Sequence, residues 1–253
     1  MAELEGRRTL VTGAAQGLGR AIATLFVERG AQVMLADVDE QGAERAAAEL
    51  GDRARSVRCD VTSSADVQGA VQAAVDAFGG LDVVVNNAGV EVVKPLVEQS
   101  EKEFSRLMDV NVKGVFLGIK HSAPALAAAG GGAIVNMSSL AGVGGVPLFG
   151  SYGAAKAAVI QLTRTAAVEL RQAGIRVNAV CPGFVGTAMV DRLIPTVEAA
   201  VGVPFDDLVA LKQGRLGTAE EVAEMVAFLA SDEASWATGS HYLLDGGLSA
   251  SLL

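Results

Sequence analysis

Strand-length apolar runs alternate with helix-length amphipathic segments along almost the whole 253-residue chain. This alternation predicts βαβ units, in which parallel strands form a sheet that helices cover on both faces. Several runs consist almost entirely of Val, Ile, Leu and Ala, as expected of strands that are buried on both faces. The predicted strands are 8–12, 32–37, 55–60, 81–87, 133–139, 175–181 and 241–245, and the predicted helices lie near 17–29, 40–50, 64–78, 101–129, 151–173 and 219–231.

The chain is predicted to form one domain that contains one long segment outside the regular alternation of strands and helices. No linker rich in Pro, Ser or charge breaks the chain, so we predict a single α/β domain over residues 1–253. Its core would be a doubly wound parallel sheet of about seven strands. Residues 183–217 depart from the alternation and carry many apolar side chains. Because an apolar excursion at the carboxyl end of a strand is a typical position for a substrate lid, we interpret this segment as a lid.

Composition and charge narrow the function classes. The net charge is −9 and the pI about 4.8, with no run of basic residues, so we expect no binding to nucleic acid or to anionic membranes. The sequence lacks a run of about 18 apolar residues and a signal-peptide pattern, so we expect a cytoplasmic protein. Cys59 and Cys181 are predicted to be buried, reduced thiols. His121 and His241 have no neighbouring ligand at metal spacing, and we expect no metal site.

The first predicted strand runs into the glycine-rich stretch TGAAQGLGR at 12–20, and a helical pattern follows at once. The three glycines would allow a tight turn, a close approach to a pyrophosphate and close packing of helix on strand. The helix N-terminus would then offer unpaired N–H groups to the phosphates. The loop therefore predicts a dinucleotide site. Its predicted cofactor-binding residues are Gly13, Gln16, Gly17, Leu18 and Gly19.

The end of the second predicted strand bears on which dinucleotide is bound. Asp37 lies about 20 residues after the loop, where an acid can accept hydrogen bonds from the adenosine ribose and repel a 2′-phosphate. Neither Gln16 in the loop nor Val38 after the acid is basic. The sequence therefore favours NAD as the cofactor and leaves NADP as the less favoured alternative.

Further short motifs follow in a fixed order. The glycine spacing is G-x-x-x-G-x-G, NNAG closes the fourth predicted strand, and an S-x12-Y-x3-K pattern spans 139–156. A P-G-x-V-x-T stretch lies at 182–187, and an Asp-Val pair lies at 60–61. Together these motifs, between Thr9 and Gly247, resemble the classical short-chain dehydrogenase/reductase family.

The resemblance implies a Rossmann-type fold and further cofactor contacts. In that family the P-G-x-V-x-T stretch cradles the nicotinamide, and the Asp-Val pair lies near the adenine ring. The additional cofactor-binding residues that it implies are Asp60, Val61, Asn87, Ala88, Gly89, Tyr152, Lys156, Pro182, Gly183, Val185 and Thr187. It also implies a homotetramer in which the helices at 101–129 and 151–173 pack across one interface.

Tyr152 and Lys156 are the residues most directly connected with chemistry. Four residues apart on a helix, they share one face with Cβ atoms about 5–6 Å apart. A phenol with a pKa of about 10 is a poor base near neutrality, so we expect the Lys156 ammonium to lower the pKa of Tyr152. Tyr152 could then take a proton from a substrate hydroxyl as hydride leaves the carbon. By resemblance, Lys156 also holds the nicotinamide ribose.

Two further residues complete the predicted catalytic set. Ser139 ends the fifth predicted strand and would hydrogen-bond the substrate oxygen. Asn111 matches the family's fourth catalytic position, at which the main-chain carbonyl is thought to hold a water that links the lysine to solvent. On sequence alone, Asn86, Asn87 and Asn136 remain alternatives for that role.

Three functions are compatible with these residues. The first is an NAD-dependent oxidoreductase that interconverts a secondary alcohol and a ketone; the lid and the loop 142–149 suggest a hydrophobic small-molecule substrate, alicyclic or steroid-like. The second, reduction of a 3-oxoacyl thioester, usually goes with NADPH, and Val38 disfavours it. The third is a non-catalytic dinucleotide-binding protein, which the intact catalytic set disfavours. Glu91, just after the NNAG run, is expected to be solvated, although its position could face the substrate.

Overall fold

A parallel sheet forms the core of the protein in the computed structural model, which describes residues 3–250. The strands are β1 (Arg8–Thr12), β2 (Gln32–Asp37), β3 (Ala54–Arg58), β4 (Val83–Asn86), β5 (Gly132–Met137), β6 (Ile175–Pro182) and β7 (His241–Leu244). Their order across the sheet is β3-β2-β1-β4-β5-β6-β7, and all neighbours are parallel. The predicted doubly wound sheet is confirmed. Residues 1–2 and 251–253 of the predicted domain lie outside the described residues.

Helices cover both faces of this sheet. They are α1 (Gly17–Glu28), α2 (Glu40–Leu50), α3 (Ser64–Phe78), α4 (Glu101–Met108), α5 (Gly114–Ala128), α6 (Gly150–Leu170), α7 (Ala188–Val201), α8 (Phe205–Lys212) and α9 (Ala219–Ala230). Apolar residues of α1, α2 and α9 pack on one face, among them Phe26 and Val226. Residues of α3, α5 and α6 pack on the other, among them Val71 and Leu117. Each face of the sheet therefore has its own buried core.

The strand order reverses direction at β1. This strand pairs with β2 on one side and with β4 on the other, so the connections that leave β1 and β4 diverge at their carboxyl ends. In open α/β sheets, ligands bind in the crevice at such a switch point. The glycine loop follows β1 and the NNAG segment closes β4, so both lie at this crevice.

Two differences from the predicted elements bear on the site. β3 ends at Arg58 rather than at residue 60, because Asp60 Oδ1 accepts hydrogen bonds from Thr62 N at 2.9 Å and Thr62 Oγ1 at 2.8 Å, and this turn takes the chain out of the sheet. The single helix predicted over 101–129 is instead α4 and α5, separated by a π-helical turn at Asp109–Lys113. Such turns inside helices frequently occur at functional sites.

The segment predicted as a lid contains α7 and α8 and has a hydrophobic cluster of its own. The buried members of this lid cluster are Phe149, Val190, Leu193, Val197, Phe205 and Val209. Tyr152 packs against the cluster, with its ring edge-on to that of Phe149 at a centroid distance of 6.0 Å. At the base of the segment, Gly217 N donates to Phe184 O at 3.0 Å and Gly186 N donates to Gly217 O at 3.0 Å. The two ends of the segment are thus bound to each other.

Within residues 3–250, no helix is both long and apolar enough to cross a membrane, and no group of three or more His, Cys, Asp or Glu side chains is arranged to hold a metal ion. Cys59 and Cys181 are free and buried, as predicted. Burial raises the pKa of the Cys59 thiol to about 12, so this thiol stays protonated near neutrality.

Candidate active site

The glycine loop after β1 is held by the segment that follows β4. Thr12 Oγ1 accepts hydrogen bonds from Asn87 N at 3.0 Å and from Ala88 N at 3.2 Å. The Asn87 side-chain amide donates to Thr12 O at 2.9 Å and to Gly13 O at 3.1 Å. These bonds join the two sides of the crevice, so the side chain of Asn87 shapes the glycine loop.

The three glycines of the loop have different surroundings. A Cβ at Gly13 would lie 2.8 Å from Ala88 Cα, and a Cβ at Gly19 would lie 2.1 Å from Gly13 O, so packing within the protein requires glycine at both positions. Gly17 has a φ of +57° and no atom within 4 Å of its Cβ position. It begins α1, and Leu18 packs against the core beneath that helix. The open space at Gly17, at a helix N-terminus, fits a pyrophosphate that a side chain would obstruct.

Asp37 lies at the end of β2 beside the glycine loop. Its Oδ2 accepts a hydrogen bond from Ala15 N at 2.9 Å, and its Oδ1 accepts one from Asp39 N at 3.0 Å. The next residue, Val38, is 62% exposed, and Gln16 is exposed at the start of α1 without a side-chain cap hydrogen bond. The end of β2 therefore presents a fixed carboxylate, followed by an apolar residue, beside the glycine loop.

The turn after β3 places the Asp60–Val61 pair. Asp60 N donates to Asp66 Oδ2 at 3.1 Å, and the carboxylate of Asp60 is bonded to Thr62. Val61 is buried against α5, where a Cβ at Gly114 would lie 3.0 Å from Val61 Cγ2. The side chain of Asp60 therefore stabilises the turn that positions Val61.

The loop after β5 and the first turns of α6 bring Ser139, Tyr152 and Lys156 together. Lys156 Nζ donates to Met137 O at 2.9 Å and lies 5.5 Å from the centre of the Tyr152 ring. The side chain of Ser139 lies close enough to the Tyr152 phenol to act on its pKa. Ser138 Oγ donates to Lys156 O at 2.8 Å, and this bond fixes α6 to the end of β5. The three residues of the S-x12-Y-x3-K pattern thus lie together in space.

Small residues allow the loop after β5 to approach the backbone of α6. A Cβ at Gly153 would lie 2.7 Å from Ala141 O, and a Cβ at Gly142 would lie 2.6 Å from Lys156 C. Larger side chains would push the loop, and Ser139 with it, away from the helix. This close approach explains why small residues surround the tyrosine and the lysine.

Burial shifts the pKa values of the two titratable groups in opposite directions. It raises the pKa of Tyr152 to about 12, although the hydrogen bond with Ser139 acts to lower it; the charge of Glu91 acts in the same direction as burial. Burial lowers the pKa of Lys156 to about 8. The expected lowering of the Tyr152 pKa is therefore wrong for the protein alone, because burial of the phenol has the largest effect on its pKa.

The π-helical turn places Asn111 against the segment after β4. Asn111 is fully buried, and its Oδ1 accepts a hydrogen bond from Val90 N at 2.8 Å while its Nδ2 donates to Val90 O at 2.7 Å. A Cβ at Gly89 would lie 3.2 Å from Asn111 Oδ1 and 3.5 Å from Lys156 Nζ. Gly89, Asn111 and Lys156 therefore meet, and the side chain of Asn111 fixes the main chain beside the lysine.

The alternative asparagines Asn86 and Asn136 form a buried polar chain instead. Asn86 Nδ2 donates to Asn136 Oδ1 at 2.8 Å, and Asn136 Nδ2 donates to Thr163 Oγ1 at 2.9 Å. The three side chains connect β4, β5 and α6 through the core. Because a buried polar chain of this kind holds only when its partners are all in place, it fixes the position of α6 on the sheet.

The P-G-x-V-x-T stretch leads from β6 into the lid. A Cβ at Gly183 would lie 2.5 Å from Gln213 Oε1, and that oxygen accepts a hydrogen bond from Phe184 N at 2.8 Å. Gln213 Nε2 donates to Phe184 O at 2.7 Å. Val185 pairs with the far end of the lid, and the Thr187 side chain caps α7. Sequence reasoning missed Gln213, since a lone glutamine near the end of an irregular segment carries no motif.

Glu91 is not solvated as expected. Its side chain is 15% exposed, and its Oε1 accepts a hydrogen bond from Arg192 Nη2 at 3.2 Å. The two residues are 101 positions apart, so no local pattern relates them. Their contact joins α7 to the segment after β4.

Fold and site together define a nicotinamide-dinucleotide oxidoreductase: a glycine loop at the switch point, an acid at the end of the next strand, and a tyrosine and lysine beside the crevice. The chain belongs to the classical short-chain dehydrogenase/reductase family, because the family model described as enoyl-(acyl carrier protein) reductase matches residues 13–249. The resemblance found in the sequence is thereby confirmed.

Two similar dehydrogenases and one similar solved structure agree with this assignment. The chain is 46% identical over 250 residues to cis-4-hydroxycyclohexanecarboxylate dehydrogenase of Sinomonas cyclohexanicum, covering 96% of this chain and 97% of the relative. It is 41% identical over 249 residues to 3-alpha-(or 20-beta)-hydroxysteroid dehydrogenase of Mycobacterium tuberculosis, covering 98% and 92%. The crystal structure of a short-chain type dehydrogenase/reductase from Mycobacterium marinum superposes with a TM-score of 0.90 at 35% identity, covering 98% of each chain.

Proposed function

We propose that the protein is an NAD-dependent oxidoreductase that interconverts a secondary alcohol and a ketone. The observation that carries this proposal is the position of Tyr152, beside Lys156 and Ser139 and against the apolar lid cluster. A phenol so placed can exchange a proton with a substrate oxygen while apolar side chains keep water away. Asn111 completes the proposed catalytic set by fixing the segment next to the lysine.

Each side chain has its own task in alcohol oxidation. Ser139 would hydrogen-bond the substrate oxygen, and Tyr152 Oη would take the hydroxyl proton. Lys156 would hold the nicotinamide ribose, and the positive charge of the oxidised nicotinamide, rather than that of the lysine, would favour the phenolate. The bound nicotinamide supplies the hydride acceptor. In ketone reduction Tyr152 returns the proton to the same oxygen.

Asp37 supports NAD as the cofactor. Its fixed carboxylate would accept hydrogen bonds from the ribose hydroxyls and repel a 2′-phosphate. A cavity of about 400 Å³ beside the loop is lined by Arg20 and Arg45, but Asp39 and Glu49 line it too, and Arg20 pairs with Glu49 at 2.8 Å. The charges of that cavity therefore balance, and NADP remains the less favoured cofactor.

The lid cluster supports an alicyclic substrate. We assign residues 183–217 as the substrate lid, since α7 and α8 present apolar side chains to the cluster that contains Tyr152. The names of the two relatives specify a cyclohexane ring and a steroid. A secondary alcohol on an alicyclic ring therefore fits both the apolar surface and the relatives.

We further propose a homotetramer in the cytoplasm. Apolar side chains remain exposed on α4, α5 and α6, among them Phe104 at 45%, Phe116 at 47% and Val168 at 63%. Exposed apolar surface on adjacent helices supports contact between subunits. Light scattering would measure the mass in solution, and a stable monomer would remove this part of the proposal.

A 3-oxoacyl-thioester reductase is the second candidate. The description of the matching family model, enoyl-(acyl carrier protein) reductase, favours an acyl substrate. Asp37 and the apolar Val38 do not favour the NADPH that such a reductase usually takes. A non-catalytic dinucleotide-binding protein is the remaining alternative, and substitution of Tyr152 tests it below.

The proposed function is tested by NADH production at mildly alkaline pH with purified protein. The substrates are linear, cyclic and steroidal secondary alcohols, and NADP is run in parallel with NAD. We expect turnover with NAD on a cyclic or steroidal alcohol. Turnover confined to 3-oxoacyl thioesters with NADPH would favour the second candidate, and absence of turnover with every substrate would favour a binding protein.

Replacement of Asp37 by asparagine tests the assignment of the cofactor. Asp37→Asn keeps an oxygen that can accept from Ala15 N but removes the negative charge. We expect the ratio of kcat/KM for NAD to that for NADP to fall about 10-fold or more. An unchanged ratio would show that another feature selects the cofactor.

A further inference from the structure

Arg192 forms an ion pair at the edge of the lid and has hydrogen-bond donors that the pair does not use. Arg192 Nη2 donates to Glu91 Oε1 at 3.2 Å. The Glu91 side chain is 15% exposed, whereas that of Arg192 is 60% exposed. Because a guanidinium has five N–H donors in a planar fork, this single contact leaves most of the donors of Arg192 available to another acceptor.

The pair lines a cavity of about 230 Å³ between the lid and α4. The other charged residues of its lining are Glu103 and Arg106. Glu103 is already neutralised, since Lys94 Nζ donates to its carboxylate at 2.8 and 3.1 Å. Among the described residues, no acid lies within ion-pair distance of Arg106. Both acids of the cavity are thus paired with cations, and a positive charge remains in excess.

Residues that line the cavity are sequence neighbours of residues in the lid cluster. Val93 and Leu193, close neighbours in sequence of the two ion-pair residues, pack in the lid cluster with Tyr152. The negative charge of Glu91 also acts on the phenol of Tyr152 and raises its pKa. A ring that lay against the lid cluster with its hydroxyl at Tyr152 would therefore extend a substituent toward this cavity.

We propose that the cavity is a carboxylate-binding subsite for the substrate, in which Arg192 binds the carboxylate and Glu91 orients the guanidinium of Arg192. Arg106 supplies a second positive charge. This inference rests on the proposed function and narrows its substrate class to alicyclic hydroxy acids. A guanidinium can bind a carboxylate through two parallel hydrogen bonds, and a carboxylate enters an apolar site only when it is paired. Glu91 is then a positioning residue.

Binding tests the subsite without any need for turnover. Protein loaded with NADH is titrated with cyclohexanecarboxylate and with its methyl ester, neither of which has a hydroxyl to oxidise. We expect the acid to bind at least about 10-fold more tightly than the ester, and Arg192→Gln to remove most of this difference, with the remainder due to Arg106. Arg192→Lys should restore part of it, since lysine keeps the charge but not the planar fork. Arg215→Gln is the matched control, because Arg215 is an exposed arginine at the base of the lid, paired with Glu221.

Turnover gives the second readout, with 4-hydroxycyclohexanecarboxylate and its methyl ester as substrates. We expect Arg192→Gln to raise KM for the acid about 10- to 100-fold. The kcat for the acid, and both kcat and KM for the ester, should change little. Equal losses on acid and ester, or equal binding of both ligands by the unaltered protein, would overturn the subsite and leave only a lid contact. Binding of the acid that depends on Arg192, without oxidation of any alcohol, would sustain the subsite and refute the proposed function.

Discussion

The cofactor crevice and the lid are built in opposite ways. In the crevice, contacts involve the main chain: the side chains of Asn87 and Asp37 bind main-chain groups of the glycine loop, and a Cβ at Gly13 or Gly19 would lie within 3 Å of backbone atoms. In the lid, side chains pack on side chains around Phe205, which is 1% exposed. At Gly202, in the lid, an added Cβ would have no atom within 4 Å.

This difference corresponds to two kinds of task. A dinucleotide is the same molecule in every enzyme that uses it, so its site can be made of main-chain groups held in one geometry. A substrate varies, and side chains of a semi-independent cluster can be exchanged without disturbing the sheet. We therefore expect substitutions in the crevice to affect cofactor binding, those in the lid to affect the substrate, and those at the junction to affect chemistry.

The largest effect is expected at the junction, for Tyr152→Phe. Removal of the hydroxyl leaves the ring packed against the lid cluster but removes the acid/base group, so kcat should fall about 10³-fold or more. Fluorescence titration should give a Kd for NADH within about 3-fold of the unaltered protein. Survival of turnover would show that another group transfers the proton, and an inactive unaltered protein that binds NADH would point to a non-catalytic role.

Two glycine substitutions compare the regions directly. Gly19→Ala would bring a Cβ to 2.1 Å from Gly13 O, so the loop must move, and we expect the Kd for NAD to rise about 10²-fold. Gly202→Ala places its Cβ in open space, although its φ of +77° is strained for alanine. It should cost about 1–2 kcal/mol of local stability and leave the Kd for NAD unchanged. Similar effects of both substitutions on cofactor binding would refute the distinction between the regions.

Phe205→Ala tests whether the lid cluster is independent of the crevice. The side chain is fully buried and edge-on to Phe184 at 5.2 Å, so its removal should loosen α7 and α8. We expect KM for an alicyclic alcohol to rise about 10-fold while the Kd for NAD stays constant. Val209→Ala, a smaller truncation in the same cluster, should give a smaller rise in KM. A large change in NAD binding would show that the lid and crevice are coupled.

The same contrast explains what could be predicted from the sequence. Local spacing determines both the alternation of strands and helices and the short motifs around Gly17, Ser139 and Tyr152. The structure brings Ser139 and Tyr152 together as predicted. The Glu91–Arg192 pair joins residues 101 positions apart, and no repeat or motif encodes it. The π-helical turn around Asn111 depends on its contact with Val90 and could not be derived from helical periodicity.

The shifted pKa of Tyr152 shows a second limit. The spacing of Tyr152 and Lys156 is sufficient to place them on one face of a helix, but the direction of the pKa shift depends on burial of the phenol, which outweighs the hydrogen bond with Ser139. Pair spacing gives the Coulomb interaction, whereas desolvation depends on everything packed around the pair. Chemistry at such a site therefore follows from the fold as a whole.

The last expected effect concerns stability and arises from Lys156, where the two regions meet. Burial lowers its pKa from 10.5 to about 8, so the unfolded chain holds this proton more tightly than the folded protein does. The resulting destabilisation is complete below about pH 8 and disappears as the pH rises through the unfolded value of 10.5. In Lys156→Met this contribution is absent at every pH.

Denaturant unfolding of both proteins at pH 7.5 and pH 9.5 measures the contribution. Relative to Lys156→Met, the free energy of unfolding of the unaltered protein should rise by about 2 kcal/mol from pH 7.5 to pH 9.5. This holds whichever protein is the more stable at pH 7.5, because the variant lacks the hydrogen bond to Met137 O equally at both pH values. Lys102→Met, at an exposed lysine of α4, is the matched control and should show no such gain. A constant difference between the unaltered protein and Lys156→Met would mean that Lys156 retains an ordinary pKa, so the ammonium would remain charged throughout the working pH range and could stabilise the Tyr152 phenolate more strongly than its burial implies.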